Sequence, residues 1–256
     1  MSLGKYGFSL NILRESFPLH TETALISALK RLSSKGKVVS IYKGYYLIIP
    51  PQYSGKGILP PYLFLDDLMN YIGRQYYVGL LSAAAFHAAS HQQPQETFVI
   101  TTFPVLRATN KKGIKINYLS VRRFPEELIE KRKTETGYLN ISGPCLTATD
   151  LIQFEKRIGG LSRAATVLYE LSEVLTPACF NETLMKKTPV TTLQRLGYLL
   201  EFACDRQELS DALYEGMLMQ KIKFYRIPLK ASGMTTGFSS RNRWKIIENT
   251  QIDIDL

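Results

Sequence analysis

The sequence has few cysteines and no long apolar run. Its three cysteines, Cys145, Cys179 and Cys204, are odd in number, scattered and without CxxC spacing. Neither a disulfide framework nor a zinc site is therefore expected, and a reducing cytoplasm fits this cysteine usage best. No apolar stretch approaches the length that crosses a bilayer, and no signal peptide opens the chain. We expect a cytoplasmic protein with no membrane contact.

Acidic residues are missing from residues 221–245. That stretch instead carries seven cations: Lys221, Lys223, Arg226, Lys230, Arg241, Arg243 and Lys245. Residues 1–50 are also strongly basic, a third basic patch runs from Arg107 to Arg123, and the net charge is +10. Clustered positive charge favours a polyanionic partner, because neutralising phosphates releases counterions. Residues 221–245 are thus a candidate second nucleic-acid face, and a merely solvated face is the alternative.

Catalytic and cofactor motifs are missing as well. The chain has no phosphate-cradling GxxxxGK[ST] loop and no GxSxG elbow. His87 and His91 stand one helical turn apart, but Ala88 occupies the position where the zinc protease motif needs Glu. Asp253 and Asp255 alternate like the metal-binding carboxylates of nucleotidyltransferases, without the Gly-Ser turn and helix that precede those carboxylates. We expect no catalytic site, metal or cofactor, and no enzyme.

The first 50 residues contain two helix signals. Ser9 is a suitable N-cap for a short helix over 10–15, and Thr21 for a second helix that ends at Ser33. In the second helix Leu25, Leu29 and Leu32 follow three- and four-residue steps, which predicts one buried stripe. Gly36 suits the left-handed conformation that ends a helix.

A hairpin signal follows these helices. Residues 38–42 and 45–49 are β-rich and flank Lys43-Gly44. Two helices and a hairpin indicate a winged helix-turn-helix, which usually has one more helix before these two, and only residues 1–7 are available for it. The second helix would enter a major groove and the hairpin would reach a phosphate. The candidate DNA-binding residues are Thr23, Ser27, Lys30, Arg31, Lys35, Lys37 and Lys43. A protein-binding module is the alternative.

The rest of the chain mixes helices and strands without regular alternation. Residues 51–61, rich in Pro and Gly, indicate a linker between domains at 1–50 and 62–256. Predicted helices cover 62–72, 77–89, 125–132, 147–157, 161–175, 192–204 and 208–219; predicted strands cover 97–102, 115–121, 138–142, 224–229 and 243–247. The expected fold class is α+β, an N-terminal winged helix-turn-helix followed by a larger mixed α/β C-terminal domain.

Several segments together resemble one family. The segments ALKRLSSKGKVVSIYKGYYLIIP, YYVGLLSAAAFHAASHQQP with FVITT, TATDLIQFEKRIGGLSRAATVLYEL, LQRLGYLLEF and RWKIIENT occur in the order seen in AbiEi antitoxins. The resemblance implies an antitoxin of a bacterial type IV toxin–antitoxin system linked to abortive phage infection. It also implies a repressor that binds repeats in its own operon promoter, and a nucleotidyltransferase-like toxin that is countered without the need for a stable complex. By position, the resemblance adds Thr21 of the recognition helix and Tyr45 of the wing to the candidate DNA-binding residues.

Two other functions remain open at this point. One is a winged-helix transcriptional regulator with a ligand-sensing C-terminal domain, for which an apolar pocket in that domain would be evidence. The other is a nucleic-acid enzyme such as a nuclease. Carboxylates clustered around the strands at 97–121 would support it, but that region is basic and contains none.

Overall fold

The computed structural model describes residues 4–54, 59–89 and 94–254 of the 256-residue chain. The chain forms two compact units. Unit 1 comprises Met1–Val78, Gln95–Arg122 and Lys131–Ile141, and unit 2 comprises Gly79–Pro94, Arg123–Glu130 and Ser142–Leu256. The predicted domain boundaries at residues 50 and 61 stay a prediction.

Unit 1 begins with a short strand, two helices and a hairpin. The elements are β1 (Gly7–Ser9), α1 (Leu10–Ser16), α2 (Glu22–Ser34), β2 (Val38–Tyr42) and β3 (Tyr45–Ile48). The predicted N-caps are confirmed, since Ser9 accepts a hydrogen bond from the backbone N–H of Ile12 and Thr21 accepts one from Ala24. The three strands form an antiparallel sheet in the order β1-β3-β2. Local signals therefore placed α1, α2, β2 and β3 correctly, whereas β1 was not predicted.

The buried stripe of α2 is shorter than predicted. Leu25 and Leu29 are buried as expected, with 6% and 5% of their surface exposed, but Leu32 is 39% exposed. Leu32 lies in the last turn of α2 and lines a groove that is open to solvent. The prediction that Leu32 is buried is wrong, because a helical repeat identifies a face and not how far its neighbours extend to cover it.

Two further helices and a six-stranded mixed sheet follow. The helices are α3 (Pro51–Ser54) and α4 (Leu65–Ile72), and the strands are β4 (Tyr76–Val78), β5 (Thr97–Thr102), β6 (Thr109–Lys111), β7 (Ile114–Val121), β8 (Ile129–Thr134) and β9 (Gly137–Ser142). Their order is β6-β7-β5-β4-β9-β8, with β5 parallel to β7 and antiparallel to β4. Gly55 and Gly57 of the predicted linker lie outside the described residues.

Two of the predicted helices are partly strands. The predicted helix 77–89 is the buried strand β4 followed by the shorter helix α5 (Leu80–Phe86). The predicted helix 125–132 is a single 3-10 turn, Glu126–Leu128, followed by β8. In both places pairing with neighbouring strands decided the structure, because a short apolar or mixed run fits helix and strand equally well.

Unit 2 is mainly helical. It contains α5, α6 (Pro144–Gln153), α7 (Leu161–Leu171), α8 (Glu182–Lys187), α9 (Val190–Phe202), α10 (Gln207–Met219) and a two-stranded parallel pair, β10 (Ile227–Pro228) and β11 (Ile246–Ile247). Every residue of α6 from Cys145 to Ile152 is buried, and α5, α7 and α9 pack around this helix. The mixed α/β class is confirmed. No helix in the described part of the chain is long and apolar enough to cross a membrane.

The cysteine expectation requires a correction. Cys145 and Cys179 form a disulfide, with their Cα atoms 6.1 Å apart. The two residues stand 34 positions apart in the sequence, so only the packing of the segments that carry them brings them together. Cys204 is free and buried, and burial raises the pKa of its thiol to about 12. Cysteine usage therefore gives no argument for a reducing compartment, and the cytoplasmic location stays a prediction.

Candidate nucleic-acid interface

The outward face of α2 carries three exposed polar side chains in one row. Thr23, Ser27 and Lys30 follow steps of four and three residues, so they share one side of the helix. Leu25 and Leu29 point the opposite way, into the fold. The helix thus presents two short hydrogen-bonding side chains and one cation to whatever lies outside it.

The other predicted residues of α2 and the following turn have different settings. The Thr21 hydroxyl oxygen accepts a hydrogen bond as the N-cap, so it serves the helix itself. Arg31 is exposed at the edge between the outward face and the groove that Leu32 lines. Lys35 and Lys37 are exposed just beyond the helix. Together these cations surround the C-terminal end of α2.

Lys43 stands exposed at the tip of the β2–β3 hairpin. Tyr42 pairs with Tyr45, so Lys43 and Gly44 form a two-residue turn, with Gly44 at φ +73°. The Tyr71 hydroxyl on α4 donates a hydrogen bond of 3.1 Å to the Lys43 carbonyl oxygen. No local sequence signal indicates this support, because Tyr71 lies 28 positions further along the chain.

Tyr45 is not available to DNA, and its place among the predicted contacts is corrected. Only 3% of its surface is exposed, its ring lies 5.0 Å from that of Tyr71, and a Cβ at Gly7 would collide with its hydroxyl. This burial raises the pKa of Tyr45. Strand alternation explains the placement, since Tyr45 and the fully buried Leu47 face the same side of β3.

An apolar groove of about 870 Å³ lies along α1, α2 and the three-stranded sheet. The exposed side chains of Ile12, Phe17 and Ile48 contribute to its lining, together with Leu32. The ligand-sensing alternative calls for a pocket in the larger C-terminal domain. This groove belongs to the first 50 residues and is therefore no evidence for that alternative.

One cation of the basic segment 221–245, Arg243, is paired within the protein. The Arg243 guanidinium donates to the Glu201 carboxylate at 2.6 Å, pairs with Asp211 at 2.6 Å and lies 4.8 Å from the centre of the Tyr214 ring. Arg243 therefore joins the C-terminal segment to α9 and α10, and it is not a free cation. Residues 221–245 contain no acid of their own. Both acidic partners of Arg243 lie on earlier helices, so the segment alone does not reveal them.

Trp244 anchors the same segment. It is fully buried, and its indole N–H donates to the Glu201 carboxylate at 2.8 Å. The amide of Gln194 holds the segment from the other side, donating to the carbonyl oxygens of Tyr225 and Trp244. Trp244 is thus part of the core, whereas Phe238 of the same segment is 43% exposed.

The remaining cations of the segment are exposed. Arg226 donates to the Ser240 hydroxyl, and Lys245 approaches the Phe224 carbonyl oxygen at 3.5 Å. The other exposed cations are Lys221, Lys223, Lys230 and Arg241. Six of the seven cations are therefore exposed, and their role as one nucleic-acid face stays a prediction.

The histidine and aspartate pairs show no catalytic arrangement where they are described. His87 Nε2 lies 2.8 Å from the carbonyl oxygen of Ser142, a contact within unit 2. His91 and Asp255 lie outside the described residues. Within residues 4–54, 59–89 and 94–254, no three His, Cys, Asp or Glu side chains are grouped so as to hold a metal ion.

Comparison with known proteins gives one family match. Residues 77–202, just under half of the chain, match the AbiEi antitoxin C-terminal domain. This stretch runs from β4 through α9 and includes three of the resembling segments, so the match supports an antitoxin role in a toxin–antitoxin system. Through these residues the chain is similar to the C-terminal domain of AbiEi antitoxins. A comparison with curated proteins finds no match.

Two solved structures are similar to this chain to different degrees. The RV2827C protein from Mycobacterium tuberculosis superposes with a TM-score of 0.67 at 16% identity, over 94% of this chain and 86% of that one. This likeness shows a shared fold. An antigenic nucleotidyltransferase-like protein from Paracoccidioides brasiliensis gives a TM-score of 0.36 at 10% identity, over 58% of this chain and 88% of that one. That overlap is too loose to bear on the fold.

Proposed function

We propose that this antitoxin also represses its own operon. In this proposal residues 1–50 form a winged helix-turn-helix that binds double-stranded DNA at promoter repeats, and the rest of the chain counters a nucleotidyltransferase-like toxin without catalysis and without the need for a stable complex. The observation that carries the DNA-binding half is the outward face of α2. The antitoxin half rests on the match over residues 77–202.

The chemistry of α2 suits a major groove. An α-helix with its side chains is about 10–12 Å across, and the major groove of B-DNA is about 12 Å wide. Thr23 and Ser27 are exposed hydroxyls that can donate to or accept from base edges, and Lys30 is an exposed cation. Lys43 at the hairpin tip supplies the phosphate contact that positions such a helix.

The test compares promoter DNA with a scrambled duplex of equal length. Replacing Thr23 or Ser27 by Ala should cost about 1–3 kcal/mol on promoter DNA and little on the scrambled duplex, because base contacts carry the sequence preference. Replacing Lys43 by Gln should weaken both alike and lower the salt slope by about one unit. Fluorescence anisotropy at several salt concentrations measures both quantities.

Two matched controls accompany these variants. Ser16→Ala removes an exposed serine from α1, and Lys133→Gln removes an exposed lysine from β8. Both should bind as the parent does. If the α2 and hairpin variants also bind as the parent does, the helix-and-hairpin segment is a protein-interaction module and the repressor half of the proposal is wrong.

The toxin half has its own test. A nucleotidyltransferase-like reading frame directly beside this one should be toxic when expressed alone and harmless when expressed with this chain. Variants in α2 should keep this protection, because α2 lies within residues 1–50, which bind DNA in this proposal. Protection lost with Lys43→Gln would contradict the separation of the two activities.

A further inference from the structure

The turn between β6 and β7 is tight and basic. Lys111 pairs with Ile114, so the turn consists of two residues, Lys112 and Gly113, with φ values of +45° and +81°. Positive φ at both central positions is the geometry of the type I′ turn, which matches the twist of the paired strands. The turn therefore holds Lys111 and Lys112 in a defined position at one edge of the six-stranded sheet.

This turn lies at the C-terminal end of α2. The Lys112 ammonium donates a hydrogen bond of 3.0 Å to the carbonyl oxygen of Ser33, in the last turn of α2. Strand β6 also lies beside β2, the first strand of the hairpin. Residues almost eighty positions further along the chain thus contact the last turn of α2, and all of these elements belong to unit 1.

The charge of the turn is not neutralised locally. Residues 97–125 contain no Asp or Glu, and Lys111 and Lys112 are both exposed. In the described part of the chain neither lysine pairs with a carboxylate. Lys115, three residues after Lys112 on β7, pairs with Glu96 at 3.5 Å. The exposed lysines of the turn therefore lie beside the last turn of α2 without an acidic partner in the described residues.

We propose that the β6–β7 turn is a second contact with the DNA backbone. Lys111 binds a phosphate that flanks the groove entered by α2, while Lys112 fixes the turn against the end of the helix. The inference rests on the proposed function and adds to it a binding residue that lies outside residues 1–50. A contact of this kind lengthens the footprint on the duplex and raises affinity without adding sequence preference.

A purely structural role makes a different prediction. A lysine at a helix C-terminus satisfies a free carbonyl group and interacts favourably with the helix dipole. If that is the whole role of the turn, replacing Lys112 lowers stability, and replacing Lys111 changes nothing. Lys111 is therefore the residue that separates the two roles.

The experiment measures Lys111→Gln and Lys112→Gln in the full chain, with the upstream promoter duplex and a scrambled duplex at several salt concentrations. Lys111→Gln should weaken both duplexes equally, lower the salt slope by about 0.9 and leave the melting temperature unchanged. Lys112→Gln should lower the melting temperature as well. The control is Lys133→Gln, an exposed lysine on β8 at the opposite edge of the same sheet, which should match the parent.

Three results would overturn the inference. The first is that Lys111→Gln keeps the parent's affinity and slope while Lys43→Gln lowers them, which leaves the proposed function standing. The second is an equal loss of DNA affinity in Lys133→Gln, which would mean that affinity depends on the total charge of the protein and not on the turn. The third is loss of toxin protection in Lys111→Gln with DNA binding intact, which assigns the turn to another partner. If neither the α2 nor the Lys43 variants change DNA binding, the proposed function itself fails.

Discussion

The Tyr71 hydroxyl donates a hydrogen bond of 3.1 Å to the carbonyl oxygen of Lys43, and so joins α4 to the tip of the hairpin. The Tyr71 ring also lies 5.0 Å from the ring of Tyr45. Gly44 leaves room for this contact, since a Cβ there would lie 2.7 Å from the Tyr71 hydroxyl. The exposed lysine of the hairpin is thus held in place by a residue outside the predicted winged helix.

Tyr71 should affect DNA binding only through Lys43. Tyr71→Phe keeps the ring and removes one hydrogen bond, so it should weaken promoter binding by about 0.5–1.5 kcal/mol. In a Lys43→Gln background the same change should have no further effect, because the positioned cation is already gone. Anisotropy on all four proteins measures this double-mutant cycle.

Tyr138→Phe is the matched control for that cycle. Tyr138 is 59% exposed on β9, and its substitution should leave binding unchanged in both backgrounds. Equal losses from Tyr71→Phe with and without Lys43 would mean that Tyr71 acts by another route, such as the packing of α4.

The basic segment should divide into a free face and a structural arginine. We expect the triple variant Lys221→Gln, Lys223→Gln, Arg241→Gln to fold as the parent does and to lose toxin protection while it keeps promoter binding. The physical reason is that all three cations are exposed and available to a polyanion. Growth assays with the toxin and anisotropy with promoter DNA give the two readouts.

Arg243→Gln is the contrasting variant. It leaves Glu201, whose side chain is 15% exposed, without its charged partner, and should cost about 1–3 kcal/mol of stability. If the triple variant loses promoter binding instead of protection, the face is an accessory DNA contact. If it keeps both activities, the face is only solvated.

Gly197 should not tolerate a side chain. A Cβ at this position of α9 would fall on the ring of the fully buried Trp244, which several contacts hold in place. Overpacking of this kind costs about 1–3 kcal/mol, so Gly197→Ala should lower the free energy of unfolding although Ala is the better helix former. Urea denaturation measures the difference.

Gly216→Ala on α10 is the control for Gly197. Its Cβ would meet chiefly the flexible end of the Met185 side chain, which can move aside. We expect this variant to stay within about 1 kcal/mol of the parent. A larger loss at Gly216 than at Gly197 would mean that Trp244 adapts more easily than its contacts indicate.

Asp211 should make stability depend on acid pH. The hydrogen bond from Arg243 holds the pKa of the Asp211 carboxyl below its ordinary value of 3.8. A lowered folded-state pKa contributes stability above the unfolded-state value, and this contribution is lost as pH falls through the folded-state value. The melting temperature of the parent should therefore fall more steeply below about pH 4 than that of Asp211→Asn. Asp205→Asn, an exposed carboxylate, should follow the parent, and a parallel curve for Asp211→Asn would contradict the prediction.

The elements that the sequence predicted well are those governed by neighbours along the chain. Ser9 and Thr21 cap their helices through atoms three residues away, and Gly44 makes the hairpin turn through its own backbone freedom. The outward row on α2 follows from helical geometry alone. The family resemblance also follows from the sequence, because it depends on the order of segments along the chain.

Long-range contacts decided the rest of the molecule. Strand β4 was predicted as helix because its pairing with β5 and β9 is not encoded in its own three residues. The segment around Arg243 contains no acid, and its partners Glu201 and Asp211 are supplied by α9 and α10. The packing of distant segments likewise places Cys145 beside Cys179. In the same way Lys112 reaches Ser33 across almost eighty residues. Charge and periodicity are properties of a segment, whereas partners are supplied by whichever segment folding places beside it.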